Sequence, residues 1–576
     1  MPPLARRPAG PARWQLTLTL AALLAVMLAP LPAAADWSAD STIGTPVCLA
    51  SGDLLDPLMV SDGAGGFIVM WTDFRKPGFD PDIYCTRVNA SGDTLWGSGG
   101  LVVCDAPGLQ LRSTIIADGQ GGAFMAWMDL RTSGGSQGYY VQHIAANGVR
   151  RWAANGTRPV SGLNSQFGPK ICRDTTGGIF LAFASGSPGT QLQRLDSLGV
   201  KRLGSFPPAE GPLLRSNPSA PLAITADGFG GAIVALGYGG STPVDIAAQR
   251  ATTTGALLWA ASGVTVCAAT GSQGGVELVA DGLGGATLAW DDGRASGGDI
   301  YAQRISAAGS AMWAADGVAV CNVGSIESGV QLRTLGDGAA IAVWRDYRHL
   351  PATSLYAQRI AGDGSFDWAS NGLPVSSGTP AIEGFSVVPG EADDTIVSWN
   401  TTSSSGGDVF AQKIDGAGAR QWGDYAATVC RGPLDQTESA AVADGAGGVL
   451  VSFRDARVSG NPNLYAQHLG PDGSLGSSPV AVPWIEPVSR AWLRVAPNPS
   501  RGPQELRFDR PLAAAAHIEV LDVLGRRRGS RTVAAGALSW RWDGRDDLGA
   551  RVASGVYLVR VATAGHVAIA RVVRLD

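Results

Sequence analysis

From residue 62 onward the chain repeats one alternation of apolar and polar stretches. An Asp-Gly turn leads into an apolar run ending in an aromatic residue or Leu; a polar loop and a second run carrying Tyr-Ala-Gln-Arg, or a variant of it, follow. The clearest copy, Asp281 to Cys321, closes on a Trp-bearing tail and Val-Cys. The turns begin at Asp62, Asp118, Asp174, Asp227, Asp281, Asp337, Asp393 and Asp444, so a unit of about 55 residues recurs eight times. The turns at Asp337 and Asp393 are worn, and the third copy keeps only Gln193-Arg194 of its tyrosine block.

Runs such as Phe67 to Trp71 and Ala286 to Trp290 barely alternate, which predicts strands covered on both faces. The segment before each turn and the Trp tail bring the count to four short strands per unit, with no helical period anywhere. A 55-residue unit would be marginal alone, and no linkers separate the copies. Stacked sheets sharing their cores meet both conditions, so the pattern predicts an all-β chain with an eight-bladed β-propeller, in preference to an open array of small sandwiches. Nine tails accompany the eight hairpins. The extra one is Trp37 to Cys48, whereas the final tail, Pro471 to Val482, lacks both Trp and Cys. Residues 37–48 are therefore expected to supply the outer strand of the last blade and close the ring.

The chain ends differ in kind. Arg6, Arg7 and Arg13 precede an apolar run from Leu16 to Leu31 and an Ala33-Ala34-Ala35 cleavage pattern, which predicts a signal peptide over 1–35 and a secreted or cell-surface protein. No later segment is apolar for long enough to span a bilayer. The propeller is assigned to 36–482 and a proline-rich linker to 483–495. Residues 496–576 then alternate as short strands with turn signals, a β-sandwich pattern on the immunoglobulin-like scale. Within them, APNPS at 496–500, VLDVLGRR at 520–527, WDGRDDLGARVASGVYLVRV at 542–561 and the closing RVVRL resemble the C-terminal sorting domain of type IX secretion. They are equally similar to the Ig-like domain of the FlgD-like hook-capping family. The resemblance implies an Ig-like sandwich that engages secretion machinery. The repeats resemble uncharacterised propeller-type repeats of exported bacterial proteins, a likeness that implies no activity.

Composition narrows the partners. The net charge is −5 with no basic stripe, which argues against nucleic acid. Of the seven cysteines, five (Cys48, Cys104, Cys267, Cys321, Cys430) share one repeat position, where facing sheets stand too far apart for disulfides except where Cys48 clasps beside Cys430; mostly free thiols are expected. The five histidines are scattered, and the G-x-S-x-G letters around Ser136 lie in a Gly/Ser loop, so no metal, cofactor or nucleophile is assigned.

The conspicuous polar motif is aromatic-x-Asp-x-Arg, whose members Asp73, Arg75, Asp129, Arg131, Asp346 and Arg348 begin the variable loops of one propeller face. They are the candidate ligand-face residues, but recurrence in blade after blade argues for structure, since catalysis needs one asymmetric site. Each Asp is expected to pair with an Arg, the tyrosine-block Arg304 and Arg359 being the candidates. Three readings of function stay open: a non-enzymatic exported binding or surface scaffold whose extracellular ligand is a glycan or a protein; a secreted glycosidase or lyase; and a structural envelope component. The enzyme reading needs a cluster of unrepeated acids at the channel, and none stands out along the chain.

Overall fold

The apolar run after each turn becomes the second strand of an antiparallel sheet and is buried along almost its whole length, as in Phe67–Asp73 and Ala123–Asp129. The computed structural model describes residues 37–575 apart from 477–492 and short stretches, mostly in loops. The leader 1–35, most of the linker and Ser136 lie outside them. Blade 1 comprises Leu54–Ser61, Phe67–Asp73, Asp82–Val88 and Leu101–Cys104, hydrogen-bonded in that order. Later blades repeat the plan. Blade 2 has three named strands, and a single bridge between Val141 and Thr157 stands for its fourth.

The first strands lie innermost. They are Leu54–Ser61, Gln110–Ala117, Lys170–Arg173, Ser219–Ala226, Gln273–Ala280, Glu327–Gly336, Ala381–Pro389 and Gln436–Ala443. Each packs on the next in this order, and the last packs on the first. The described residues thus form a closed eight-bladed propeller. No helix among them is long and apolar enough to cross a membrane.

Two repeated side chains weld blade to blade. The Gln of the tyrosine block is fully buried and braces its own tail: Gln303 donates to the Ala314 carbonyl (2.7 Å) and accepts from the Trp313 N–H (3.0 Å). The tail Trp, held in this way except in blade 1 where Thr86 replaces the Gln, donates its indole N–H to a turn carbonyl of the following blade. Trp96 reaches Ala146, Trp152 reaches Ser197, Trp259 reaches Ala307, Trp313 reaches Gly362, Trp368 reaches Gly416 and Trp422 reaches Pro471, all at 3.0–3.4 Å. In worn blade 3, Leu203 takes the place of the Trp and packs on Gly255.

The expected closure holds. Thr45–Cys48 pairs antiparallel with Asn463–Leu469, the third strand of blade 8. Gln467 of that blade donates to the carbonyls of Asp40 and Ile43. Trp37, buried, donates to the Ala90 carbonyl of blade 1 at 2.8 Å, as the other Trp tails do to their neighbours.

The Asp-Gly turns follow from the same packing. Asp62 Oδ1 accepts the N–H groups of Ala64 and Gly66, while Oδ2 pairs with Arg87 at 2.9 Å. A Cβ on Gly66 would lie 2.2 Å from the Val88 carbonyl oxygen, so only glycine fits there. The tyrosine-block Arg therefore neutralises the turn Asp, as in Arg250–Asp227 and Arg304–Asp281, and not the strand-ending Asp that was expected; in blade 8 the His468 Nε2 takes the same place, 2.9 Å from Asp444. Blade 6 departs from this plan. Its hairpin is a two-residue turn, Asp337 (φ 52°) and Gly338 (φ 81°), between paired Gly336 and Ala339. Asp337 is thus not the counterpart of Asp62, and Arg359, lacking that partner, pairs with Asp367 and Asp393.

The C-terminal unit has seven strands in two sheets. Leu493–Ala496, Gln504–Phe508 and Ser539–Trp542 form one sheet; Arg527–Val533, Ala516–Asp522, Gly555–Thr563 and His566–Arg574 form the other. Its first strand begins inside the segment expected to be linker. Leu506, Ile518, Trp542, Val559 and Val572 share its core. The Tyr557 hydroxyl donates back to the Ala553 carbonyl (2.7 Å), and Asn498 of the APNPS stretch accepts the Val573 N–H (2.7 Å) of the closing RVVRL.

If Trp37 is the eighth tail and not a stray terminus, Trp37→Ala should destabilise the protein by about 3–5 kcal/mol, the usual cost of emptying a buried Trp site. Denaturant unfolding checks it; an unchanged midpoint would mean that the ring does not depend on this clasp.

Candidate functional site

The six candidate residues are brought together in pairs and sealed. Asp73, Asp129 and Asp346 are fully buried. Each accepts the indole N–H of the Trp two residues earlier, at 2.7, 2.9 and 3.1 Å. Each is paired with the Arg two residues later, at 2.6, 2.5 and 2.6 Å. Arg75, Arg131 and Arg348 stack 3.7–4.0 Å over Tyr84, Tyr140 and Tyr356. Their Nη2 groups also reach back to the Sγ of Cys48, Cys104 and Cys321 in the preceding blade. The set is an inter-blade lock, repeated with Asp292/Arg294 and Asp455/Arg457, and the six residues are committed to it. All seven cysteines are free and buried; burial pushes Cys104 up to about 12 and Cys267 up to about 11, which keeps them as thiols.

The unrepeated chemistry lies one layer inward. Near the start of the first strand, the register slips by one residue in blades 1, 2, 5, 6 and 8. The inserted residue has positive φ: Asp56, Arg112, Gly275, Gly329 and Glu438. In blades 5 and 6 these glycines leave a slot: a Cβ on Gly275 or Gly329 would lie 2.7 Å from a side-chain atom of Asp291 or Arg345. The side chain in each slot then bonds to the next blade. Asp291 accepts the Gly329 N–H at 3.0 Å, and Arg345 donates to the Glu383 carbonyl at 2.8 Å. Asn400 accepts from the Ser439 hydroxyl, and Glu438 accepts the Asp56 N–H. A polar belt thus runs around one end of the ring, at the strand ends that carry the variable loops.

Beside this belt, each first strand offers one equivalent position, the residue paired opposite the one before the strand-ending aromatic residue or Leu. Around the ring it is Leu58, Thr114, Lys170, Ala223, Glu277, Gln331, Ser386 and Ala440. Only Lys170 and Glu277 are charged, and between them stands the small Ala223. A cavity of about 650 Å³ opens there, lined by Lys170, Glu277, Gln331 and Arg345 over Leu222 and Phe385. Burial pushes the Glu277 carboxyl up to about 7, against the pull of Lys170. Asp291, behind the wall, is also raised by burial, which the Gly329 and Val330 N–H groups and Arg345 oppose.

The turn and tyrosine-block alignment passes over these residues, because they sit in the segment before each turn. A column-by-column comparison of those segments would have set Lys170 and Glu277 against Leu, Thr, Ala, Gln and Ser.

Among the described residues one buried group has metal-ligand chemistry: Cys321, Glu327 and Asp346 place a sulfur and two carboxylate oxygens within 4.8 Å of one another. It does not suit a cation, because Arg348 Nη2 already sits on both the Cys321 sulfur (3.3 Å) and Asp346 (2.6 Å). Glu327 instead fills a glutamine's place. Opposite the strand-ending Asp stand Gln110, Gln273 and Gln436 in blades 2, 5 and 8, whose amides donate to carbonyls two to four residues earlier. Burial, with Asp346 and Asp299 adding to it, pushes Glu327 up to about 7. Its folded pKa thus exceeds the unfolded value of about 4.3, so stability should fall as pH rises through that window and stay lower above it. Glu327→Gln should remove that part of the decline and be more stable than the parent at about pH 8. Unfolding midpoints at about pH 5 and about pH 8 check it; equal pH slopes in both proteins would mean that Glu327 is charged in the fold.

No family model matches the chain, and no curated protein matches it. Among solved structures, a fungal alcohol oxidase of the AA5 family in complex with copper is 10% identical, with a TM-score of 0.36, over 82% of this chain and 99% of its own. PorZ, a bacterial surface component of the type IX secretion system of Porphyromonas gingivalis, is 11% identical, with a TM-score of 0.26, over 92% of this chain and 82% of its own. The Penicillium chrysogenum α-L-arabinanase complexed with arabinobiose is 11% identical, with a TM-score of 0.31, over 53% of this chain and 92% of its own. At these scores the likeness reaches no further than the fold class.

Proposed function

We propose that this protein is an exported propeller that binds a glycan in the cavity between blades 3 and 7, with its C-terminal sandwich serving as the sorting or attachment domain. The observation that carries the reading is the gathering of unrepeated polar side chains, Lys170, Glu277, Gln331 and Arg345, on one side of a ring that is otherwise repetitive. Mixed donors and acceptors over an apolar floor suit a ligand with many hydroxyls and apolar ring faces. The leader pattern supports export. The meeting of APNPS with RVVRL, and the hydroxyl bond of Tyr557, support an Ig-like sandwich of the sorting or FlgD-like kind.

A second reading, polysaccharide cleavage, is favoured by one observation. A carboxyl held near pH 7 by burial is suited to donate a proton to a glycosidic oxygen, and Glu277 meets that condition on the cavity wall.

Binding of the full-length secreted chain to a glycan panel tests the first reading. Ala223→Phe, which adds bulk between Lys170 and Glu277, should abolish binding and leave the unfolding transition in place; retained binding would move the site elsewhere. Release of reducing ends from the bound glycan, lost in Glu277→Gln, would establish the second reading, and binding without release would exclude it.

A further inference from the structure

The groups around the cavity divide into those the fold has already used and those it has not. Gln331 is used: its amide donates to the Phe385 carbonyl (2.8 Å) and accepts the Val387 N–H (3.2 Å). Asp291 is used on the N–H groups of Gly329 and Val330. Arg345 gives Nη1 to the Glu383 carbonyl, but its Nη2 makes no hydrogen bond among the described residues, and the residue lines the cavity. Lys170 makes no hydrogen bond or ion pair among the described residues, and neither does Glu277, which stands across Ala223 from it. The unused groups on the wall are thus two cations and one carboxyl.

We propose that the cavity takes an acidic glycan, whose oxyanion (a uronate carboxylate or a sulfate ester) is held between Lys170 and Arg345; this rests on the glycan reading above. A guanidinium and an ammonium with free N–H groups bind an oxyanion through charge-assisted hydrogen bonds, and a neutral sugar would leave both cations unpaired. Glu277 sets the pH range. Blade 4 contributes only Leu222, Ala223 and Ile224 beside it; blade 6 contributes Gln331 and Arg345; Lys170 faces it from blade 3. Below about pH 7 its carboxyl is neutral and can donate to the ligand, whereas above that it is a second anion facing the first.

The test is calorimetric titration of the secreted full chain with one oligosaccharide in neutral, uronate and sulfated forms, at about pH 5.5 and about pH 8.5. The acidic forms should bind about tenfold or more tightly than the neutral one, and more tightly at the lower pH; whichever acidic form binds better names the oxyanion. Lys170→Gln and Arg345→Gln should each lose that advantage, and Glu277→Gln should lose the pH dependence. Lys170 holds nothing in the fold, so Lys170→Gln tests the idea even if Arg345→Gln destabilises the ring. Equal affinity for neutral and acidic forms, unchanged by Lys170→Gln, would overturn the acidic assignment and leave the glycan reading standing. No binding of any form would overturn both.

Discussion

Every sheet in the ring is apolar on both faces, so none can be left uncovered, and the chain must return to its own beginning. That constraint is met at one seam. Trp37 donates to blade 1, Thr45–Cys48 completes blade 8, and the Sγ of Cys48 receives the guanidinium of Arg75 as Cys104 receives that of Arg131. The seam reproduces the joints between all the other blades, built from opposite ends of the chain. Joining first and last strands in this way also sets a folding cost, since the loop closed spans more than 400 residues. The return lies in burying two sheet faces at once.

The joints explain why so much of the repeat is conspicuous yet chemically unavailable. A buried Asp that takes an indole N–H, a bidentate Arg and a backbone N–H has no lone pair left for a substrate. Its Arg, stacked on a Tyr and donating to a backbone carbonyl, has little freedom to move. Charges are tolerated in such surroundings only when paired and hydrogen-bonded. Asp292 shows the balance: burial raises its carboxyl, yet Arg294 and the Trp290 indole hold it below the usual carboxylate range.

The repeating parts were legible in the sequence because they answer to period and burial. The all-apolar second strands, the closing tail and the free thiols are all written in composition and spacing. The partner of the strand-ending Asp was not, because two Arg positions in each unit compete for two Asp positions. Pairing depends on which side of the sheet each faces: Arg304 turns to Asp281, and Asp346 takes its own Arg348. Asp337 misled for a similar reason: a two-residue hairpin turn uses the same letters as the longer Asp-capped one. The cavity was least legible. Its residues alternate between lining and packing, so Glu277 and Lys170 look like ordinary half-buried strand positions until eight first strands are superposed around an axis.

That arrangement separates two kinds of residue. Positions built into the joints, such as Asp346, Gln358 and Trp368, carry the ring's stability: Asp346 and Gln358 hold the aromatic residues and tail of their own blade, and Trp368 donates to Gly416 of the next. Apart from Gln331, whose amide bonds to blade 7, the inward positions of the first strands make no side-chain hydrogen bond among the described residues, so Leu58, Ala223 and Ala440 can stand where Lys170 and Glu277 stand without altering any joint. The ring can therefore vary its interior one residue at a time at little cost to its closure. The uneven placement of charge is confined to blades 3 and 5 and flanked by Arg345, and on the proposed reading it is what such freedom leaves when binding alone constrains it. A purely structural ring would place no requirement on that column beyond filling it, and a lysine facing an unpaired, half-buried carboxyl is a poor way to fill space.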